Sequence, residues 1–202
     1  MSYTNSLNVL LIDDEPDRIK ALKEALHKLG HHVICHLPDT SELNQHVAET
    51  HPDIVIIDMD SPDRDTLESM ATMSQNNPRP IVFFAEQQND QRTMVDAINA
   101  GVSAYIADGL QADRVKAIMA TAVAHFEAHA SLREELEKTK TQLSDRKIIE
   151  KAKGMLMSHQ GCDENQAYQT LRKLAMDRGQ KLPDVATSVV EVLNLTNGLK
   201  RQ

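Results

Sequence analysis

Two short stretches decide the fold: Asn8-Val9-Leu10-Leu11-Ile12-Asp13-Asp14 and Ile54-Val55-Ile56-Ile57-Asp58. Each is an apolar run that stops at a carboxylate. An unbroken apolar run of this length is what a strand buried on both faces requires. Working outward, three similar runs follow: Val33-Ile34-Cys35, Ile81-Val82-Phe83-Phe84 and Ala104-Tyr105-Ile106. Between the runs the apolar spacing changes to three and four. Ile19, Leu22, Leu26 and Leu29 form one helical face closed by Gly30, and Leu43 and Val47 mark a second helix. Segments near 66–75 and 90–100 supply two more, the latter closed by Gly101, and another helix starts near Asp113. Strands alternating with helices predict right-handed βαβ units. The expected fold is α/β, doubly wound and flavodoxin-like, with a five-stranded parallel sheet.

The chain has 202 residues, enough for one domain of about 120 residues and a smaller one. Aromatics make up only 3% and Trp is absent, so the cores must be aliphatic. Cys35 and Cys162 stand far apart and are expected as free thiols in a reducing compartment. The N-terminus lacks a basic region before an apolar one, and no apolar run approaches the ~20 residues that span a bilayer, which predicts a cytoplasmic protein without membrane contact. The net charge of −8 is uneven. Residues 1–143 carry 12 Lys+Arg against 23 Asp+Glu, whereas residues 144–202 carry 10 against 7. An acidic module joined to a basic one points to a polyanion as the partner of the second.

From about Asp113 to Met157 there is no Pro, and the only Gly is Gly154. Val115, Ile118, Ala122, His125, His129, Leu132, Leu136, Thr139 and Leu143 step by three and four, as an a/d heptad seam does. This predicts one long helix whose stripe, notably Ile118, Ala122, Leu132, Leu136 and Leu143, is covered in a homodimer. A second helix is expected from Asp163, as its cap, to Arg178, with Gly179 ending it. A third begins at Leu182-Pro183, buries Val185, Val189, Val192 and Leu193, and ends at Asn197-Gly198. Three short helices can share one small all-α core.

The acidic residues carry the first chemistry. In an open parallel sheet, ligands bind beyond the carboxyl ends of the strands at the topological switch point. Asp13, Asp14 and Asp58 therefore converge on one pocket. Alone they repel, and one pKa rises; Mg²⁺ with oxygen ligands removes that penalty. A carboxylate beside Mg²⁺ can attack a phosphoryl group and form an aspartyl phosphate. Leu10-Leu11-Ile12-Asp13-Asp14-Glu15 and Ile56-Ile57-Asp58-Met59-Asp60-Ser61-Pro62 resemble the receiver domain of bacterial response regulators over about residues 7–124. The resemblance implies Asp58 as phospho-acceptor and a Mg²⁺ site of Asp13, Asp14, Asp58 and the carbonyl of Asp60. It also implies a Thr or Ser ending strand four and a Lys ending strand five. Ala85 and Asp108 stand there instead, so a phosphoryl group on Asp58 would lack its usual readout, and the acceptor is expected to be vestigial.

The second constellation lies in the basic third. Arg146, Lys147, Lys151 and Lys153 fall on the long helix, Arg172, Lys173 and Arg178 on the next. Collectively they suggest a phosphate-binding surface. Tyr168 either stacks on an unpaired RNA loop base or closes the core edge. Gly154, inside a helix, costs about 1 kcal/mol relative to Ala; a close helix crossing or a closely approaching ligand would justify it. The run through Leu143, Arg146, Ile149, Glu150, Ala152-Lys153-Gly154, Leu156-Met157, Glu164, Ala167-Tyr168, Leu171-Arg172 and Ala175-Met176 closely resembles the ANTAR domain, an RNA-binding antitermination module. Domains are accordingly expected at 7–124 (receiver), 125–137 (coiled-coil linker) and 138–199 (ANTAR).

That resemblance implies binding to hairpins in a leader RNA, and read-through of a terminator. Within the family the layout is most similar to the nitrate-assimilation antiterminators, which implies nitrate or nitrite assimilation genes as targets and a nitrate-sensing protein as inhibitor. The alternative is a DNA-binding phosphorelay response regulator, since three small basic helices can resemble helix-turn-helix. No Ser/His/Asp set, phosphate loop or His/Cys metal spacing is present, so no enzyme is expected.

Overall fold

The protein is described by a computed structural model covering residues 6–85, 91–107 and 114–199. The first part alternates β1 (Asn8–Ile12), α1 (Pro16–Lys28), β2 (His32–Leu37), α2 (Leu43–Thr50), β3 (Ile54–Asp58), α3 (Arg64–Asn76), β4 (Ile81–Ala85), α4 (Gln91–Asn99) and β5 (Ala104–Ala107). The five strands form one parallel sheet in the order β2-β1-β3-β4-β5. Successive side chains of a strand face opposite ways, and both faces of this sheet are covered. Leu10, Ile12, Val55, Ile57 and Phe83 pack with α2 and α3 residues on one side. Val9, Leu11, Ile54, Ile56, Val82 and Phe84 pack against Leu22 and Leu26 on the other. This is why the strands read as continuous apolar runs. Both cysteines are free.

Gly101 shows how tightly this domain is closed. It holds φ +102°, and a Cβ built there would lie 1.9 Å from the Ser74 hydroxyl. That hydroxyl donates to the carbonyl of Ala100 across the α3–α4 junction. Only glycine fits such a turn.

The chain divides into two compact units, Met1–Ala130 and Ser131–Gln202. Helix α5 (Val115–Gln160) contributes its first turns to one core and its last to the other. This corrects the expected seam. Val115 and Ala122 are fully buried against the sheet, and Ile118 packs on the same cluster. They serve the receiver-like core of their own chain, Val115 and Ala122 wholly and Ile118 in part. Leu132, Leu136 and Leu143, by contrast, are exposed, at 63%, 53% and 53%.

The second unit closes around Ala152 and Leu156 of α5, Ala167 and Leu171 of α6 (Glu164–Arg178), and Ala186, Val190 and Leu193 of α7 (Leu182–Leu199). Asp163 caps α6 by accepting from the Gln166 N–H, and the Gln166 side chain returns the bond to the Asp163 N–H. Gly179 ends α6 in the left-handed conformation at φ 62°. Two expectations for α7 fail. Val192 is 58% exposed, because the buried face runs through Val185, Ala186, Val190 and Leu193. The helix also continues to Leu199, so Asn197-Gly198 does not stop it. Among the described residues no helix is long and apolar enough to cross a membrane.

Candidate functional site

The acidic pocket forms where β1 and β3, neighbours in the sheet, end side by side. Asp13 and Asp58 are each only 1% exposed. One oxygen of Asp13 accepts from the Glu15 N–H at 2.8 Å and from Arg18 at 3.2 Å. Its other oxygen, and both oxygens of Asp58, are buried without a hydrogen-bond partner. Asp14 is 78% exposed at its side chain and stands on the rim. Asp14, Asp58, Ser61, Asp63 and Thr66 line a concavity with the Thr40–Ser41 loop.

Arg18 holds the pocket, and the reading from sequence missed it. Its guanidinium lies 3.2 Å from Asp13, 3.6 Å from Asp14, 3.1 Å from Glu15 and 3.9 Å from Asp58. Burial works against its charge, yet the hydrogen bond to Asp13 and the surrounding carboxylates raise its pKa above the ordinary value. A signal was available. Arg18 is a cation in the first turn of α1, where the helix dipole disfavours positive charge, so a local acid had to hold it.

Burial pushes the Asp58 carboxyl up to about 6; Arg18 opposes the rise, and Asp13, Glu15 and Asp60 add to it. Three orphaned buried carboxylate oxygens suit a small, hard, oxygen-seeking cation. Among the described residues no three His, Cys, Asp or Glu groups are gathered into a closed metal centre. A cation here would hold Asp13 and Asp58 and fill its remaining positions with water and backbone oxygens. At the position of the family hydroxyl, Ala85 is fully buried at the end of β4. Asp108 lies outside the described residues.

In the second unit Arg146, Lys147, Lys151, Arg172, Lys173 and Arg178 are all exposed. Lys153 departs from expectation. It is 8% exposed, and its ammonium donates to Glu164 at 2.6 Å and pairs with Glu150 at 2.8 Å. Hydrogen bonds to Glu150 and Glu164 raise its pKa. Its stem lies at the core edge, so it ties α5 to α6 and is not a free cation. Tyr168, 38% exposed, lines a recess with Lys153, Asp163, Glu164 and Asn165.

The family model of the response regulator receiver domain matches residues 9–120, and that of the ANTAR domain matches residues 137–190. The chain is an ANTAR-domain response regulator. The transcriptional regulatory protein PdtaR of Mycobacterium tuberculosis is 30% identical over 187 residues, 92% of this chain and 90% of that protein. A nitrate regulatory protein of Klebsiella oxytoca is 47% identical over 58 residues, which are 29% of this chain and 15% of that protein. Among solved structures, the receiver domain of a modulated diguanylate cyclase from Desulfovibrio desulfuricans aligns with TM-score 0.54 and 21% identity, over 62% of this chain and 99% of that one. It supports the fold of the first unit. The family is one of regulators, and the receiver pocket of this response regulator is the pair Asp13–Asp58 clamped by Arg18.

The strained carboxyl gives a pH signature. A carboxyl whose folded pKa exceeds its unfolded value binds its proton more tightly when folded. Stability is therefore greatest below the unfolded pKa of about 4 and falls as pH rises toward about 6. In metal-free buffer Asp58→Asn is expected to be more stable than wild type at pH 7.5 by roughly 1–3 kcal/mol. The advantage should vanish near pH 4. Urea unfolding at both pH values checks this; equal stabilities at pH 7.5 would mean the carboxyl carries no strain.

Proposed function

We propose that this response regulator is an RNA-binding transcription antiterminator that recognises hairpin motifs in a leader transcript and so works in the cytoplasm. The observation that carries the reading is the exposed cation set of the ANTAR unit: Arg146, Lys147, Lys151, Arg172, Lys173 and Arg178 in an otherwise acidic chain. Phosphate neutralisation by such residues supplies affinity and makes it salt-dependent. Likeness to a nitrate regulatory protein over 58 residues supports genes of nitrate or nitrite assimilation as targets. Reversal of Lys153 would set a third carboxylate beside Glu150 and Glu164 and disturb the fold, so the test uses exposed cations. Lys151→Glu with Arg172→Glu is expected to lower affinity for a two-hairpin leader RNA at least tenfold and flatten its salt dependence, with an unchanged circular dichroism spectrum. Wild-type affinity in the double variant, measured by gel shift, would sink the reading.

The active form is a homodimer joined along α5 beyond the receiver unit. Leu132, Leu136 and Leu143 keep heptad spacing and lie open. Glu135 and Lys140 flank this stripe at g and e positions, which face each other in a parallel pair. Leu132→Lys with Leu136→Lys should shift sedimentation equilibrium toward monomer; an unchanged dimer would move the interface elsewhere.

Asp13 and Asp58, with Asp14 from the rim, would hold Mg²⁺, which supplies charge neutralisation for phosphoryl transfer to Asp58. That transfer is not the main control. A ligand shifts an equilibrium only by its differential interaction with the two states. Ala85 offers no hydroxyl to a phosphoryl group, and Asp108 stands in sequence where the family has a cation. Regulation instead comes from a nitrate-sensing protein that covers the regulator. In a leader–reporter strain Asp58→Ala is expected to keep most of its induction by the nutrient. Lost induction at normal protein level and normal RNA affinity would restore phosphorelay control.

A further inference from the structure

Gly154, in α5, is a residue whose presence no contact among the described residues explains. It sits mid-helix, where glycine is the poorest ordinary choice apart from proline. The usual reason is a neighbouring helix too close for a side chain. That reason is absent: a Cβ built at Gly154 meets nothing within 4 Å, and the residue is exposed. Its φ is not positive either, so no turn demands it. The missing side chain therefore makes room for something outside the chain.

The surroundings say what. Gly154 floors a recess lined by Lys151, Met155, Ser158 and His159. Ser158 folds its hydroxyl back onto the Gly154 carbonyl at 3.0 Å, which keeps that side of the recess low. Lys147, Lys151, Gly154 and Ser158 step by four, three and four, so they share one helix face. Lys147 and Lys151 are exposed on it. Glu150, one turn before Gly154, is turned to Lys153 at 2.8 Å. A second protein helix seated on a glycine would want apolar flanks; of the side chains that line this recess only Met155 is apolar.

We propose that the Gly154 recess seats the sugar–phosphate backbone of a bound RNA hairpin, with Lys147 and Lys151 on its phosphates and the bare helix backbone in contact with the ribose. The inference rests on the RNA-binding reading and locates its point of closest approach. Glycine is kept there because any Cβ would hold the strand off the helix.

The test uses the full-length chain and, as probe, an RNA hairpin selected from a loop-randomised pool on the wild-type protein. Failure of wild type to select any RNA would end the RNA-binding reading itself. With a selected hairpin in hand, Gly154→Ala and Gly154→Leu are measured by filter binding, thermal melting and sedimentation. Alanine favours the helix, so Gly154→Ala should melt no lower than wild type, and it keeps the test valid even if the leucine variant folds poorly. Affinity should fall several-fold for Gly154→Ala and at least tenfold for Gly154→Leu, with self-association unchanged. Wild-type affinity in a folded Gly154→Ala and Gly154→Leu would overturn the proposal while leaving RNA binding intact. Loss of self-association in step with RNA affinity would assign the recess to a second copy of the chain and overturn it equally.

Discussion

Two carboxylates buried side by side, Asp13 and Asp58, set the constraint on which the first unit depends. They meet because β1 and β3 are adjacent and in register, Leu11 beside Ile56 and Ile12 beside Ile57. Two buried negative charges are costly unless a cation stands with them. Arg18 is that cation, and it is held at the start of α1 against the preference of the helix dipole. The compensation is partial: three carboxylate oxygens stay without hydrogen bonds, and the Asp58 carboxyl stays above its ordinary range. The pocket is thus poised for a positive partner, and the tethered guanidinium already occupies part of that role.

The same accounting of charge runs through the second unit with the opposite result. Lys153 is the cation drawn inward, held by Glu150 and Glu164, and the remaining cations face solvent. A withdrawn lysine and an outward set divide between them two tasks that look alike in a list of residues. One fastens α5 to α6; the others are available to a polyanion. Helix α5 also changes its buried face along its length. Val115, Met119 and Ala122 fill the receiver core, Leu132, Leu136 and Leu143 are exposed, and Ala152 and Leu156 fill the ANTAR core. The stripe of three-and-four spacing is buried at its start and exposed from Leu132 to Leu143, and the second core takes a different face through Ala152 and Leu156.

The sequence by itself determined the sheet, the helices, the acidic pocket and the caps of α6, because each is a local pattern. Continuous apolar runs demand burial on both faces, carboxylates at strand ends demand a switch-point pocket, and Asp163 and Gly179 punctuate a helix whatever surrounds it. Tertiary structure alone decided which members of a pattern do which work. Ile118 and Leu132 have the same spacing, yet one packs under the sheet and the other lies open, since periodicity records a face and not what covers it. Lys153 and Lys151 are two residues apart, and only the packing of α6 against α5 takes the first out of solvent. Arg18 was visible as a charge at a helix start, and its pairs with Asp13 and Asp14 are local, but its approach to Asp58 needs the end of β3 brought beside the start of α1. Gly154 was legible as an anomaly, and only the empty space around it showed that no described helix crosses there. Contacts between segments far apart in sequence depend on side-chain packing in three dimensions, which no local pattern encodes.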